Sequence, residues 1–333
     1  MTAASYDVLG IGNAIFDILG TTTDDALEGA GMVKGSMRLV DDAEAKKADS
    51  LLMAATRISG GSAGNSVTGV AVLGGRAAFI GKVADDEFGD AYVEDMTRVG
   101  VTFRTPRLVG AAPTGTSVIL VTPDGERTMN TSLGAANALT TDDIDEEMIA
   151  GSAITFLEGY LFDPEPAKAA FRRAAEIATK AWQKAALTLS DAFCVERHRA
   201  DFMDWIGGGQ VAIVFANEGE VTSLYEVSDF DDAAAKLGAA VETAVVTRGA
   251  AGARVIHRGE SVDVPAVAAE VVDLTGAGDL FAGGYLLGAA RGMSPAQSAR
   301  LGAVAASEVI THLGARPQAD LQALAKEHGI SLG

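Results

Sequence analysis

Short runs of apolar and β-branched residues recur along the chain and alternate with longer amphipathic stretches. The runs have the length and composition of buried strands, and the stretches between them have the apolar spacing of helices. The predicted strands span residues 6–12, 76–83, 153–160, 185–191, 211–217 and 243–249, and the clearest predicted helices span 164–185 and 230–240. This alternation predicts an α/β fold with a doubly wound, mostly parallel sheet flanked by helices. Ligands of such sheets bind beyond the carboxyl ends of the strands.

Two segments depart from the alternation, because residues 18–40 and 101–122 lack helical periodicity. The second segment has β-branched residues separated by Gly and Pro, which is typical of antiparallel strands. We predict that the two segments pair into a small β-sheet that forms a lid over the site. No repeat or low-complexity linker divides the sequence, so residues 1–333 are predicted to form a single α/β domain.

Composition and charge narrow the class of protein. Hydrophobic residues make up 48% of the chain, which indicates a well-cored globular protein rather than a disordered one. The net charge of −19 repels nucleic acids, and the single cysteine, Cys194, excludes an intrachain disulfide. No window approaches the roughly 18 apolar residues of a membrane span. The N-terminal apolar run reads as a strand rather than a signal peptide, so a cytoplasmic protein is expected.

The segment VVDLTGAGDLFAGGYLLGAARG at 271–292 carries the strongest chemical signal. A β-rich run meets the small residues 276–278, and a helix then begins. Small residues let a ligand approach the backbone, and the free amides at a helix N-terminus form an anion site. Asp279 reads either as a cap of this helix or as a functional carboxylate. The glycine pair that follows within the helix favours function.

A second glycine-rich helix start lies within residues 59–90. Gly60, Gly61 and Gly64 open this helix, and its first turn carries Ser62 and Asn65, which would form a polar, closely packed wall for a hydroxylated ligand. The plainer interpretation is a capped helix with tight packing. Two such helix starts in one chain suit two ligands, an acceptor and a phosphate donor.

Two strand ends carry weaker signals. Asn217 and Glu220 follow the strand at 211–217, where carboxylates hold Mg²⁺ directly or through water, although ordinary strand-to-helix turns also use these residues. The turn at 247–252 is placed to receive nucleotide phosphates or ribose. The run GIGNAI at 10–15 lacks the third glycine of a dinucleotide fingerprint, and no P-loop occurs.

Together these segments resemble the ribokinase-like (PfkB) family of carbohydrate and nucleoside kinases. The family's two signatures correspond to 59–90 and 271–292, and the rest of the chain follows the family's order. The resemblance implies a kinase that moves the γ-phosphoryl group of ATP to a hydroxyl group, with Mg²⁺. It implies that Asp279 takes the proton of that hydroxyl group and that the side chain of Arg127 reaches towards the phosphates. The backbone amides that stabilise the transferring phosphoryl group would be those of Gly276, Ala277 and Gly278.

The same resemblance assigns the other ligands. Asn217 and Glu220 would organise Mg²⁺ and phosphate, with Glu220 acting through water, and Asp273 and Thr275 would contribute to a monovalent cation site, for which K⁺ is the expected ion. The residues on the nucleotide side would be Thr247, Gly249 and Gly252.

Details of the acceptor side resemble the nucleoside kinases of the family. Asn13 and Asp17 match a segment whose aspartate binds ribose hydroxyls, and a purine would stack on Phe162 or Met37. The residues that complete the ribose contacts would be Gly61, Ser62 and Asn65. The predicted acceptor is therefore the 5′-hydroxyl of adenosine, which gives AMP.

Two other functions remain open. A sugar kinase acting on ribose, fructose or 2-keto-3-deoxygluconate shares this chemistry and differs at the lid and residues 13–17. A non-catalytic sugar or nucleotide sensor would keep the glycines but would not need Asp279. The sequence leaves a monomer and a homodimer equally open.

Overall fold

The computed structural model describes residues 4–332 and contains two β-sheets and twelve α-helices. The strands are β1 (Tyr6–Ile11), β2 (Ile15–Thr21), β3 (Met37–Leu39), β4 (Ala55–Ser59), β5 (Ala77–Ile80), β6 (Val101–Phe103), β7 (Gly115–Val121), β8 (Arg127–Ser132), β9 (Ser152–Glu158), β10 (Lys184–Thr188), β11 (Ile213–Asn217), β12 (Thr243–Thr247), β13 (Ala253–His257) and β14 (Glu260–Val264). The helices are α1 (Asp24–Ala30), α2 (Asp42–Asp49), α3 (Ser62–Val72), α4 (Glu87–Arg98), α5 (Glu146–Ala150), α6 (Glu165–Lys180), α7 (Ala192–Gly207), α8 (Glu218–Tyr225), α9 (Phe230–Ala240), α10 (Ala277–Ala290), α11 (Pro295–Val309) and α12 (Leu321–Glu327). Within residues 4–332, no helix is long and apolar enough to cross a membrane.

The larger sheet has nine strands in the order β14-β13-β12-β11-β10-β9-β1-β5-β6. Strands β12 through β6 are parallel, and β13 and β14 extend one edge as an antiparallel meander. The predicted doubly wound, mostly parallel sheet is confirmed, and each of the six predicted strands lies in it. The β-rich run at 271–274, which precedes Thr275, forms an irregular loop rather than a strand.

Two apolar layers cover the two faces of the large sheet. Strand β1 is buried on both sides, and alternate residues point to opposite faces: Val8 enters one core, whereas Leu9 and Ile11 enter the other. Helices α3, α4, α10, α11 and α12 contribute to the first core, and helices α5 to α9 contribute to the second. Continuous apolar strands are expected where helices cover both faces of a parallel sheet.

The smaller sheet has five strands in the order β3-β8-β7-β2-β4. The first predicted lid segment, 18–40, supplies most of β2 and all of β3, but also the short helix α1, whose N-terminus is capped by Thr23. The second segment, 101–122, divides between the sheets, because β6 pairs with β5 in the large sheet. Its other strand, β7, lies antiparallel to β8 but parallel to β2. That the small sheet acts as a lid of a single domain stays a prediction.

The carboxyl ends of the parallel strands place the polar residues at one edge of the sheet. From β1 the chain winds through β5 and β6 to one side and through β9 to β12 to the other, so the winding direction reverses between β1 and β9. Asn13 follows β1 and Glu158 ends β9 at this position, and Asn217 and Thr247 end β11 and β12. Ligands of doubly wound sheets bind in the crevice at such a reversal.

Candidate active site

Helix α10 begins at the glycine-rich loop identified in the sequence. Gly276 is the N-cap residue and has a φ of +77°, a left-handed conformation that favours glycine. A Cβ atom at this position would also lie 2.6 Å from the Cβ of Ala315. At the start of the helix, Ala277 N donates to the Leu274 carbonyl oxygen (3.2 Å), whereas the Gly278 amide has no backbone acceptor within the described residues and is available to an anion.

Asp279 is the third residue of α10, and its carboxylate is oriented by another helix. Its Oδ1 accepts a hydrogen bond from Ser62 Oγ (2.6 Å), and its Oδ2 accepts one from Asn65 Nδ2 (2.9 Å). Burial raises the pKa of Asp279, which the bonds from Ser62 and Asn65 oppose. The structure thus brings the two predicted glycine-rich helix starts together, and α3 rather than the N-terminus of α10 holds the carboxylate.

Glu158 connects β9 with the start of α3, and sequence reasoning missed it. Its Oε1 accepts hydrogen bonds from Asn13 N (3.2 Å) and Asn13 Nδ2 (2.9 Å), and its Oε2 accepts one from Ala63 N (2.8 Å). Burial raises the pKa of Glu158 to about 7. The available signal was a carboxylate in the otherwise apolar run AITFLEGY, since a buried carboxylate must be hydrogen-bonded.

The loop before α3 is packed against Asn13 and Asp17. A Cβ atom at Gly60 would lie 2.1 Å from Asp17 Oδ2, and one at Gly61 would lie 2.1 Å from the Asn13 carbonyl oxygen. Gly61 also has a φ of +82°. These close approaches explain the glycine pair and place both predicted acceptor residues beside the N-terminus of α3.

Arg316 is a second residue that sequence reasoning did not assign to the site. Its guanidinium donates to Ser59 Oγ (2.5 Å) and to the carbonyl oxygen of Gly64 (3.4 Å), and its Nε lies 4.0 Å from Asp95. Burial lowers the pKa of Arg316. In the sequence, only its position in the run SEVITHLGARP at 307–317 distinguishes this arginine.

Asp17 and Arg316 line a cavity of about 540 Å³ between the small sheet and the loop at 313–318, here called the Asp17 cavity. Burial raises the pKa of Asp17 to about 7; the charge of Arg316 opposes this rise, and the charge of Asp279 adds to it. Beyond Asp17 the small sheet contributes an apolar strip to the cavity wall. The strip consists of Leu19, Ile119 and Val121.

A smaller cavity of about 250 Å³, the Asp279 cavity, collects residues from both sides of the sheet reversal. Its wall includes Ser62, Asn217, Glu220, Thr247, Gly276, Gly278 and Asp279. Glu220 is buried, which raises its pKa to about 7, and both of its oxygens accept hydrogen bonds from Asn217. Direct coordination of Mg²⁺ would break this capping box, so the carboxylate suits a water-mediated contact. Residues 4–332 contain no cluster of three or more His, Cys, Asp or Glu side chains suited to a metal.

An apolar cleft of about 590 Å³, the Thr247 cleft, continues from the Asp279 cavity and shares Thr247, Gly278 and Phe281 with it. The predicted nucleotide-side glycines, Gly249 and Gly252, lie in its wall. The rest of the wall is largely small and aliphatic, and includes Val267, Ala303 and Ile310. An apolar cleft joined to an amide-rich anion site has the form that a nucleotide requires.

Arg127 was predicted to reach towards the phosphates, but its guanidinium contacts the predicted cation site. Nη2 forms an ion pair with Asp273 Oδ1, and Nη1 donates a hydrogen bond to Thr275 Oγ1. Burial lowers the pKa of Arg127. The structure therefore groups Arg127, Asp273 and Thr275 together.

The proposed stacking partner Phe162 was a wrong prediction. Phe162 is fully buried in the second core, with its ring centroid 4.7 Å from that of Phe202 and 5.6 Å from that of Trp205. Met37, the other candidate, lies on β3 of the small sheet with 45% of its surface exposed. The periodicity of the sequence does not indicate which aromatic residues form the core.

The raised pKa of Asp17 predicts a pH-dependent stability. At pH values between the ordinary pKa of an aspartate and about 7, Asp17 is protonated in the folded state but ionised in the unfolded state. The free energy of unfolding therefore falls as the pH rises through this window. Asp17→Asn should therefore raise Tm by about 2 °C more near pH 8 than near pH 5.5, measured by differential scanning fluorimetry. Asp24→Asn, at an exposed aspartate of α1, serves as the control and should give the same Tm difference at both pH values. Parallel pH curves for Asp17→Asn and the wild type would contradict the buried position of this carboxyl group.

Comparisons with known proteins agree with this geometry. The profile described as pfkB family carbohydrate kinase matches residues 33–321. A structure of adenosine kinase from Sinorhizobium meliloti is 46% identical, covers 98% of this chain and 100% of its own, and superposes with a TM-score of 0.92. A probable sugar kinase from Rhizobium etli CFN 42 is 42% identical with the same coverage and a TM-score of 0.94.

Among curated proteins, fructokinase-1 of Zea mays is 31% identical over 233 residues, which are 68% of this chain and 72% of that protein. The family match spans both glycine-rich segments that meet at Asp279 and confirms the resemblance predicted from them. The chain belongs to the PfkB family of carbohydrate kinases.

Proposed function

We propose that this kinase transfers the γ-phosphoryl group of ATP to the 5′-hydroxyl of adenosine and forms AMP. The observation that carries the proposal is the composition of the Asp17 cavity, where the Asp17 carboxyl group lies beside the apolar strip of Leu19, Ile119 and Val121; Asp95 and Asp273 also line this cavity. The carboxylate suits the paired hydroxyls of a ribose, and the strip suits the face of a purine. A sugar alone would turn hydroxyls towards this strip and leave them without hydrogen-bond partners.

The relatives support this acceptor and supply the second candidate. The Sinorhizobium meliloti protein, which is similar along its whole length, is an adenosine kinase. The Rhizobium etli protein is described as a probable sugar kinase at a comparable identity, so a sugar such as ribose, fructose or 2-keto-3-deoxygluconate is the alternative acceptor.

Asp279 and the start of α10 would carry the chemical step. The acceptor oxygen forms a bond to the γ-phosphorus as the bond to the β-phosphate oxygen breaks, ADP leaves, and the acceptor's proton passes to Asp279. Ser62 and Asn65 hold the carboxylate in place for this transfer. The amides of Gly276, Ala277 and Gly278 would stabilise charge on the transferring group.

The nucleotide would occupy the Asp279 cavity and the Thr247 cleft. Kinases of this family use ATP, generally with Mg²⁺. When bound, Mg²⁺ neutralises charge on the phosphates. Asn217 would hold the Glu220 carboxylate towards the water shell of that ion, while Thr247, Gly249 and Gly252 would contact the nucleotide.

The acceptor is tested by measuring ADP formation with adenosine and with a sugar panel at fixed ATP and Mg²⁺. We expect kcat/KM to be at least about 100-fold higher for adenosine than for ribose, fructose or 2-keto-3-deoxygluconate, because only adenosine uses the apolar strip. A higher kcat/KM for a sugar would overturn the assignment of the acceptor but not that of the kinase.

A substitution in the apolar strip tests whether the acceptor binds in the Asp17 cavity. Leu19→Gln should raise KM for adenosine by about tenfold with little change in kcat, because it removes apolar contact made equally in the ground state and the transition state. Val109→Gln, at a position with 75% of its surface exposed, is the control and should leave both constants unchanged. An unchanged KM for Leu19→Gln would place the purine elsewhere.

A further inference from the structure

Asp273 is a buried carboxylate at the start of the loop that leads to Asp279. Only 2% of its surface is exposed, so its charge requires hydrogen bonds and a positive partner. Backbone amides satisfy part of this need: Thr275 N donates to Oδ1 (2.6 Å) and Gly314 N donates to Oδ2 (2.8 Å). The carboxylate therefore ties two loops together, one preceding α10 and one following α11.

The positive partner of Asp273 comes from the small sheet. Arg127 is the first residue of β8, and its guanidinium reaches both the Asp273 carboxylate and the Thr275 hydroxyl. The Arg127 side chain is 21% exposed, so solvent screens this pair much less than an ion pair at the surface. The contact also joins the small sheet to the loop that positions the N-terminus of α10.

These residues do not fit a monovalent cation in the present arrangement. K⁺ is held by oxygen lone pairs that replace its hydration shell. Here the Asp273 oxygens accept hydrogen bonds from two backbone amides, and the Arg127 guanidinium occupies the space next to Oδ1 and the Thr275 hydroxyl. A cation at that position would meet a fixed positive charge within a few ångströms, and the two like charges would repel each other.

We propose that Arg127 takes the place of the monovalent cation, so that this kinase carries its own cation and does not require K⁺. Arg127 is then a positioning residue: it neutralises Asp273, fixes the loop at 273–276, and so sets the amides of α10. The proposal concerns the kinase step and is independent of which acceptor is used.

The wild-type protein provides the first test. Turnover and Tm are measured in K⁺ and in N-methylglucamine at equal ionic strength, the Tm without nucleotide or acceptor. The turnover rates in the two salts should agree within about twofold, and the two Tm values should agree within error, because the guanidinium already supplies the positive charge. A several-fold activation of the wild type by K⁺ at constant ionic strength would overturn the proposal.

Variants of Arg127 provide the second test. Arg127→Met leaves the Asp273 charge without a partner, so we expect a lower Tm that K⁺ raises and N-methylglucamine does not. Adding Asp273→Asn to Arg127→Met should abolish this response, because the carboxylate that attracts the cation is gone. Arg38→Met, which removes an exposed ion pair with Glu44 on the neighbouring strand β3, should respond like the wild type. If the Tm of Arg127→Met does not respond to K⁺, the guanidinium does not occupy the place of a cation.

Discussion

Replacing Asp279 with Asn is expected to lower kcat by about 10³-fold, because the acceptor hydroxyl loses the group that takes its proton. The acceptor should still bind with little change in Kd, since an amide of the same shape keeps partners on α3. Asn at this position accepts from the Asn65 amide and donates to the Ser62 hydroxyl, so the local hydrogen bonds persist. Single-turnover kinetics with ATP and adenosine, together with acceptor binding by calorimetry, measure the two quantities separately.

The stability of the Asp279→Asn variant shows whether Asp279 is a catalytic base or a helix cap. Asp279 is buried with a raised pKa, so replacing it by a neutral amide should leave Tm unchanged or raise it. Asp229, which caps α9 by accepting a hydrogen bond from Asp232 N (2.8 Å), provides the comparison. Asp229→Ala should lower stability by about 1 kcal/mol and leave kcat intact. A variant Asp279→Asn that keeps more than a tenth of wild-type kcat would exclude Asp279 as the base.

The parts of the fold set by local pattern were predictable. Apolar runs bounded by glycine or polar residues gave the strands of the parallel sheet, because strands buried on both faces need continuous apolar sequence. Their carboxyl ends correctly indicated the edge that carries Asn13, Asn217 and Thr247. The β-rich run Val-Val-Asp-Leu at 271–274 forms an irregular loop, because tertiary contacts rather than local composition decide its conformation.

The parts of the site set by tertiary contact were only partly predictable. Ser62 and Asp279 are 217 residues apart, and each glycine-rich helix start indicated a site, but no pattern indicated that α3 would orient the carboxylate. Glu158 lies in an apolar strand and Arg316 lies in a loop. Neither residue is part of a motif with a characteristic spacing, so the sequence alone did not assign them to the site. The contact between Arg127 and Asp273 likewise depends on how the small sheet packs on the loop before α10.

Arg316 gives the second prediction with a large expected effect. Its guanidinium is buried between α3, α4 and the small sheet, where its charge lowers the pKa values of Asp17 and Asp279 against the rise that burial causes. Arg316→Met should lower the free energy of unfolding by about 3 kcal/mol, because it leaves buried carboxyl groups without their positive partner. Equilibrium urea unfolding measures this loss.

A pH profile separates this electrostatic effect from simple loss of packing. Without Arg316 the pKa values of Asp17 and Asp279 should rise further, so the acidic limb of kcat/KM should move to higher pH in Arg316→Met, and Arg316→Lys should restore it in part. Arg57→Met is the control, because Arg57 forms an exposed ion pair with Asp49 and is 46% exposed; its stability should change by less than about 0.5 kcal/mol and its pH profile should not move. Loss of the Arg316 charge must change the proton affinity of the carboxylates that face it. If the pH profile of Arg316→Met coincides with that of the wild type, Arg316 therefore acts through packing and not through its charge.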